Sequence, residues 1–184
     1  MCTPRLLAIC VLGLVAGCAG PRAMSPTSAV GPAVRFGEPA SAELIAAWDI
    51  SIAPTGAGLP PGAGDARQGA VIYQQKCASC HGEGGRGTPA DPLVGGVGSL
   101  ATGKPMRTVG SYWPYATTLF DYMRRAMPLN NPMSLSNDEV YAVSAYLLHL
   151  NGLLGEEDRL DATTLWKVKM PNREGFISDW PQRR

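Results

Sequence analysis

The pentapeptide Cys77-Ala78-Ser79-Cys80-His81 decides how the rest of this chain is read. It is the pattern by which a haem is attached covalently. On a helical turn, positions three apart share a face, so both thiols reach the two vinyl groups of one porphyrin and form thioethers. The next residue, His81, is carried under the iron, where a neutral imidazole nitrogen is a strong axial ligand. Two other chemistries use similar strings. Half of a zinc site looks alike, but zinc wants four ligands and the chain offers no second Cys pair. A dithiol redox motif prefers a preceding strand and has no use for His81. One covalent haem c, with its iron, is the expected cofactor.

Outward from this motif the chain reads as helices joined by long loops. Upstream, Asp65 caps a helix running to about Lys76, with Gln68 three residues on completing a capping-box pair. A shorter helical segment covers residues 41–49, capped by Ser41, with Leu44, Ile45 and Trp48 on one side; residues 53–64 then break it with Pro and Gly. Downstream, residues 82–108 are rich in Gly and Pro, and a loop this long inside a compact domain encloses something functional. A further helix opens at Pro114, placing Tyr115, Leu119, Tyr122, Met123 and Ala126 on its apolar stripe, and stops at Met127-Pro128. The last helix begins at Ser136, with Glu139 three residues later, buries Val140, Val143, Leu147 and Leu150, and ends at Asn151-Gly152. A polar tail follows, carrying Trp166, Met170, Phe176 and Trp180.

A second axial ligand has to come from the far side of the ring, and a thioether there raises the potential relative to two imidazoles. Met127 lies at a helix end, before Pro128 and a short loop, which suits a backbone that must swing a side chain onto iron. Met133 is the runner-up, with Met106, Met170 and His149 behind it. Met123 lies inside a helix and reads as packing. His149 stands among leucines and reads as a structural imidazole.

The first residues carry an export signal: Arg5 supplies the positive region, residues 6–16 an apolar run, and Val15-Ala16-Gly17 precede Cys18. A Cys in that position resembles the bacterial lipobox, so residues 1–17 read as a lipoprotein signal and Cys18 as the acylated anchor to a membrane face. Ordinary cleavage near Ala19 would instead leave a soluble periplasmic protein. Of the 5 cysteines, Cys2 and Cys10 leave with the signal and Cys18 takes lipid, so Cys77 and Cys80 remain for haem. Residues 18–35 form a Pro-, Ser- and Ala-rich tether. At 184 residues, with 22 Gly, 16 Pro and 17% charged residues, the chain suits one loop-rich domain. Lys and Arg total 16 against 15 Asp and Glu, and the signal removes Arg5 alone, so the mature chain is neutral. Nucleic acid, which wants a basic surface, is not an expected partner.

The marks Cys77-x-x-Cys80-His81-Gly82, Gly85-x-Gly87, Pro92-x-x-Gly95, Met127-Pro128 and a Tyr-bearing last helix resemble the class I cytochromes c over residues 65–152. The resemblance implies an all-α fold wrapped around one haem, with an irregular N-terminal extension at 36–64 and a C-terminal one at 153–184. It implies that Gly69 and Tyr73 of the first domain helix pack against Tyr146 of the last, the missing Cβ at Gly69 allowing close approach. It also implies that the Pro92 carbonyl receives the imidazole N–H of His81.

A narrower likeness rests on Ala47-Trp48-Asp49-Ile50, Gly58-Leu59-Pro60-Pro61-Gly62, Ser111-Tyr112-Trp113-Pro114-Tyr115 and Met170-Pro171-Asn172-Arg173-x-Gly175-Phe176. These segments resemble the cytochrome subunits of periplasmic molybdenum sulfite dehydrogenases and sulfane dehydrogenases of sulfur oxidation. The likeness implies a molybdenum subunit as electron donor and another cytochrome or a terminal oxidase as acceptor. It puts Trp113 beside the haem, at its edge or on a propionate, and makes the tail either a docking strap or a cover over its own domain. The leading function is one-electron transfer, not catalysis, because Met127 closes the position that a peroxidase or gas-binding haem keeps open. A third role, as an assembly or membrane-docking subunit, is carried by the aromatic-bearing tails.

Overall fold

The computed structural model describes residues 37–177. The expected signal, the Cys18 anchor and the tether at 18–35 lie outside the described residues. Each expected helix is present. Helix α1 spans Ala42–Trp48, and the Ser41 hydroxyl accepts from the Leu44 N–H at 3.2 Å. Helix α2, Ala66–Lys76, begins with the full capping box: the Gln68 N–H donates to Asp65 Oδ1 at 2.9 Å and the Asp65 N–H to Gln68 Oε1 at 3.2 Å. Helix α3 is the single turn Ala78–His81, α4 runs over Ala116–Ala126 and α5 over Asn137–Leu150. In α5 the same reciprocal cap joins Ser136 and Glu139. These caps satisfy N–H groups that a helix start leaves without partners.

Helix α4 departs from its expected start and stripe. Tyr115 is its extended N-cap residue, with φ −137° and ψ 136°, so Pro114 stands outside the helix. Its buried positions are Ala116, Thr117, Leu119, Phe120 and Met123, whereas Tyr122 is exposed. The buried face is centred on Phe120, whose ring meets Tyr141 of α5 at 4.4 Å. Helix α5 is buried nearly all round, from Val140 to Ala145 and again at Leu147 and Leu148. A helix enclosed in this way is the central element of a core.

Helices α2 and α5 cross where Gly69 faces Ala142; a Cβ on Gly69 would collide with the Ala142 carbonyl. Tyr73 and Tyr146 stack beside that crossing with centroids 5.3 Å apart. Both extensions join this body. Strand β1, Ala63–Asp65, pairs antiparallel with strand β2, Arg159–Asp161, setting Gly64 opposite Leu160. The Tyr141 hydroxyl donates to the Pro60 carbonyl at 2.9 Å, and the Ala63 N–H to Asp138 Oδ1 at 2.7 Å. From the C-terminal extension Leu160, Leu165 and Met170 enter the common core. Beyond the expected helices, then, the fold carries a two-stranded ribbon, draws the C-terminal extension into the core and packs Ile52 and Leu59 of the N-terminal one against it.

Candidate haem-attachment site

The attachment motif forms at a break between two helices. Cys77 ends α2 with φ −124° and ψ −36°, and its carbonyl accepts from both the Cys80 N–H at 3.1 Å and the His81 N–H at 3.0 Å. This single turn carries the second thiol and the imidazole together. Gly82 then takes a φ of 73°, open to a residue without Cβ, and turns the chain away. The Tyr73 hydroxyl donates to the Gly82 carbonyl at 2.9 Å, tying the turn back to α2. Burial pushes the Tyr73 phenol up to about 12, so it stays protonated, and a donor, through the neutral range.

The loop after the motif folds back onto it. The Gly87 N–H donates to the His81 carbonyl at 2.8 Å and the Ala90 N–H to the Cys80 carbonyl at 2.8 Å. His81 Nδ1 then lies 3.2 Å from the carbonyl oxygen of Asp91. A carbonyl only accepts, so in the neutral ring Nδ1 carries the proton and Nε2 the lone pair. The expected acceptor was Pro92, and the structure puts its neighbour there instead. The reason is the next peptide, whose Leu93 N–H donates to the Gly85 carbonyl at 2.8 Å. In a trans peptide the C=O points opposite its N–H, so the Pro92 carbonyl is directed away from that bond. The Asp91–Pro92 peptide has no N–H to place and its carbonyl is available to the ring.

Two further anchors, neither singled out from the sequence, hold the loop. Asn151, which ends α5, accepts from the Gly95 N–H at 3.1 Å and donates to the carbonyls of Leu93 at 3.3 Å and Leu147 at 2.8 Å. Buried Thr108 donates through Oγ1 to the Gly95 carbonyl at 2.6 Å, and the Ser111 hydroxyl to the Met106 carbonyl at 2.6 Å. Asn151 was visible only as a helix terminator. Its reach across 56 residues to Gly95 is a tertiary fact.

The donor set fits a covalently attached porphyrin. Cys77 and Cys80 are not engaged in a disulfide. Burial pushes the Cys77 thiol up to about 11, against the opposing pull of Lys76, so the free sulfur is held protonated through the neutral range. Among the described residues no three His, Cys, Asp or Glu side chains converge to hold a bare ion. Cys77, Ala78, Leu93, Trp113 and Met127 are half-buried and pack against one hydrophobic core.

The candidate distal ligands separate by position. Met127 ends α4, its N–H donating to the Met123 carbonyl at 3.1 Å. Met133 is 62% exposed, Met106 is 44% exposed, and Met170 is buried in the core among the tail residues. His149 Nδ1 is engaged with the Leu154 carbonyl at 3.1 Å. Trp113 packs edge-on against Tyr122, with centroids 5.7 Å apart. The tail packs on its own domain beside it: the Asn172 amide donates to the Tyr112 carbonyl at 2.7 Å, Phe176 meets Tyr112 at 5.3 Å, and Arg173 lies over Tyr115.

Comparison with known proteins falls on this same region. The family model described as cytochrome c oxidase, cbb3-type, subunit III matches residues 64–147. The thiosulfate dehydrogenase of Stutzerimonas stutzeri (strain A1501) is 32% identical over 115 residues, which is 54% of this chain and 35% of that protein. The chain therefore spans little more than a third of that relative. A chain in the crystal structure of the sulfane dehydrogenase SoxCD from Paracoccus pantotrophus is similar at 42% identity with a TM-score of 0.75, over 79% of this chain and 72% of that one.

Proposed function

This chain belongs to the class I cytochromes c of sulfur oxidation, and on that footing we propose that it carries single electrons through one covalent haem in the periplasm. The observation that carries the reading is the His81–Asp91 contact at 3.2 Å, formed beside two cysteines three residues apart that no disulfide engages. Cys77 and Cys80 would hold the haem through two thioether bonds. His81 would offer Nε2 to the iron, with the Asp91 carbonyl, 3.2 Å from Nδ1, orienting the imidazole. Met127 would supply the second ligand to the iron, and Trp113 would pack beside the group. A haem held in this way supplies one-electron cycling between ferrous and ferric iron. With His81 and Met127 both given to the iron, the residues would set its potential and exposure, and the metal would have no open place for a substrate.

The electron donor in this reading is a molybdenum sulfite or sulfane-sulfur dehydrogenase subunit, and the acceptor another cytochrome c or a terminal oxidase. Cys18 anchors the mature chain to a membrane face through lipid. The identity at 42% to a chain of a sulfane dehydrogenase structure supports the donor assignment. The test has two parts. A pyridine haemochrome assay on protein made in cells competent for haem attachment is expected to show one thioether-linked haem. Mixing with the purified molybdenum subunit and its sulfur substrate is expected to reduce it. Loss of the first result removes the haem assignment, and loss of the second removes the donor alone.

A further inference from the structure

One helix of the fold adds nothing to the core. Helix α1 sets Leu44, Ile45 and Trp48 on one face, 51%, 53% and 78% exposed, and none of its seven residues is buried. Seven residues are too few to hold a helix in water by backbone bonds alone, because nucleation is costly. The caps of α1 are local: Ser41 at its start, and the Asp49 N–H donating to the Ile45 carbonyl at 2.7 Å. A contiguous exposed apolar face on a helix rimmed by polar residues marks a surface that another molecule covers.

The charge around the face selects the occupant. Glu43 and Asp49 flank it, no Lys or Arg occurs from residue 37 to residue 66, and the guanidinium of Arg125, 3.4 Å from Ser51, is paired with Asp121. An anionic bilayer surface wants basic residues beside the apolar face and is repelled by acidic ones. A second copy docked symmetrically would bring two acidic rims together. An apolar groove edged by basic side chains on a different protein meets both the face and its rim. Ile52, only four residues past Trp48, packs against the core, so a grip on α1 is transmitted to the haem domain through a short connection.

We infer that α1 is a docking helix whose Leu44–Ile45–Trp48 face enters a basic-rimmed apolar groove on the electron-donating subunit; this rests on the donor proposed above. Since α1 lies outside the core, Leu44→Ser, Ile45→Ser and Trp48→Ser together leave the haem spectrum, the unfolding midpoint and reduction by ascorbate unchanged. In the full haem-loaded chain they weaken binding to the purified molybdenum subunit by about tenfold or more, as loss of an aromatic anchor does. Glu43→Lys, which keeps the apolar face, slows association and flattens its salt dependence. Triple-variant binding equal to the wild type overturns the inference. So does Trp48-dependent flotation of Cys18→Ser protein with phosphatidylglycerol vesicles, or a wild-type dimer that the triple variant splits. A wild type that neither binds the molybdenum subunit nor is reduced by it overturns the donor assignment and this inference together. A wild type that is reduced, beside a triple variant reduced equally well, overturns the docking helix alone.

Discussion

Gly69 and Ala142 meet backbone to backbone where α2 crosses α5, with no room between them for a Cβ. In an isolated helix a Gly-to-Ala change gains about 1 kcal/mol of propensity. Here the added methyl strikes a carbonyl and not a flexible side chain, and overpacking of this kind costs about 1–3 kcal/mol or more. The clash wins. Gly69→Ala is expected to lower the denaturant midpoint and to weaken the Tyr73–Tyr146 stack, and an unchanged or raised midpoint would show that the helices separate freely.

Asn151 joins the end of α5 to the loop after the haem motif through Gly95 and Leu93. Asn151→Leu leaves the Gly95 N–H without its protein partner, at about 1 kcal/mol after water is allowed for, while the Leu93 carbonyl keeps the Val109 N–H at 3.2 Å. Hydrogen exchange is expected to quicken at Gly95 while α2 and the centre of α5 keep their protection. Uniform loss of protection across the domain would mean that Asn151 serves global stability instead.

Lys76 Nζ lies 2.5 Å from Glu139 Oε1, bracing the residue before Cys77 against the start of α5. The Glu139 carboxyl is held below the ordinary glutamate range, chiefly by the hydrogen bond from Lys76 and then by bonding at Ser136, against the opposing effect of burial. A carboxyl depressed in the folded state stabilises above its unfolded pKa, near 4.3, and that contribution disappears as pH falls through the lower folded value. Unfolding free energies of the wild type and Glu139→Gln are expected to differ at pH 7 and to converge as pH falls from the unfolded glutamate value through the lower folded one. A constant gap across that window would assign the effect to packing.

Met127→Ala is expected to abolish the methionine-to-iron charge-transfer band and to lower the reduction potential, because a thioether ligand favours ferrous iron. Met133→Ala, at a position 62% exposed, is expected to leave both unchanged. If the band survives the first substitution and vanishes in the second, the ligand is Met133.

For the anchor, Cys18→Ser is expected to release mature protein from membranes into the soluble periplasmic fraction. Intact mass of the wild type is expected to exceed that of the polypeptide plus haem by its acyl chains. A wild type that is entirely soluble and lacks that added mass rules the lipid out.

Local chemistry was legible in the sequence wherever a short span suffices to specify it. Asp65 with Gln68, and Ser136 with Glu139, are three residues apart, and the bonds they make depend on one helical turn. Cys77, Cys80 and His81 are equally local. The Gly69–Tyr73–Tyr146 contact was accessible through family resemblance, and the residues do meet. Tertiary structure alone decided the rest. Asp91 in place of Pro92 depends on which peptide has an N–H committed to Gly85, a choice made by the folded loop. Phe120 in place of Tyr122 depends on where α5 lies against α4, which periodicity locates only to within a residue. The β1–β2 ribbon pairs residues nearly a hundred positions apart, and the burial of Leu160, Leu165 and Met170 makes the tail part of the core. Hydrogen bonds within a turn follow from neighbours in the chain, whereas these contacts exist only once the whole chain has excluded water between them.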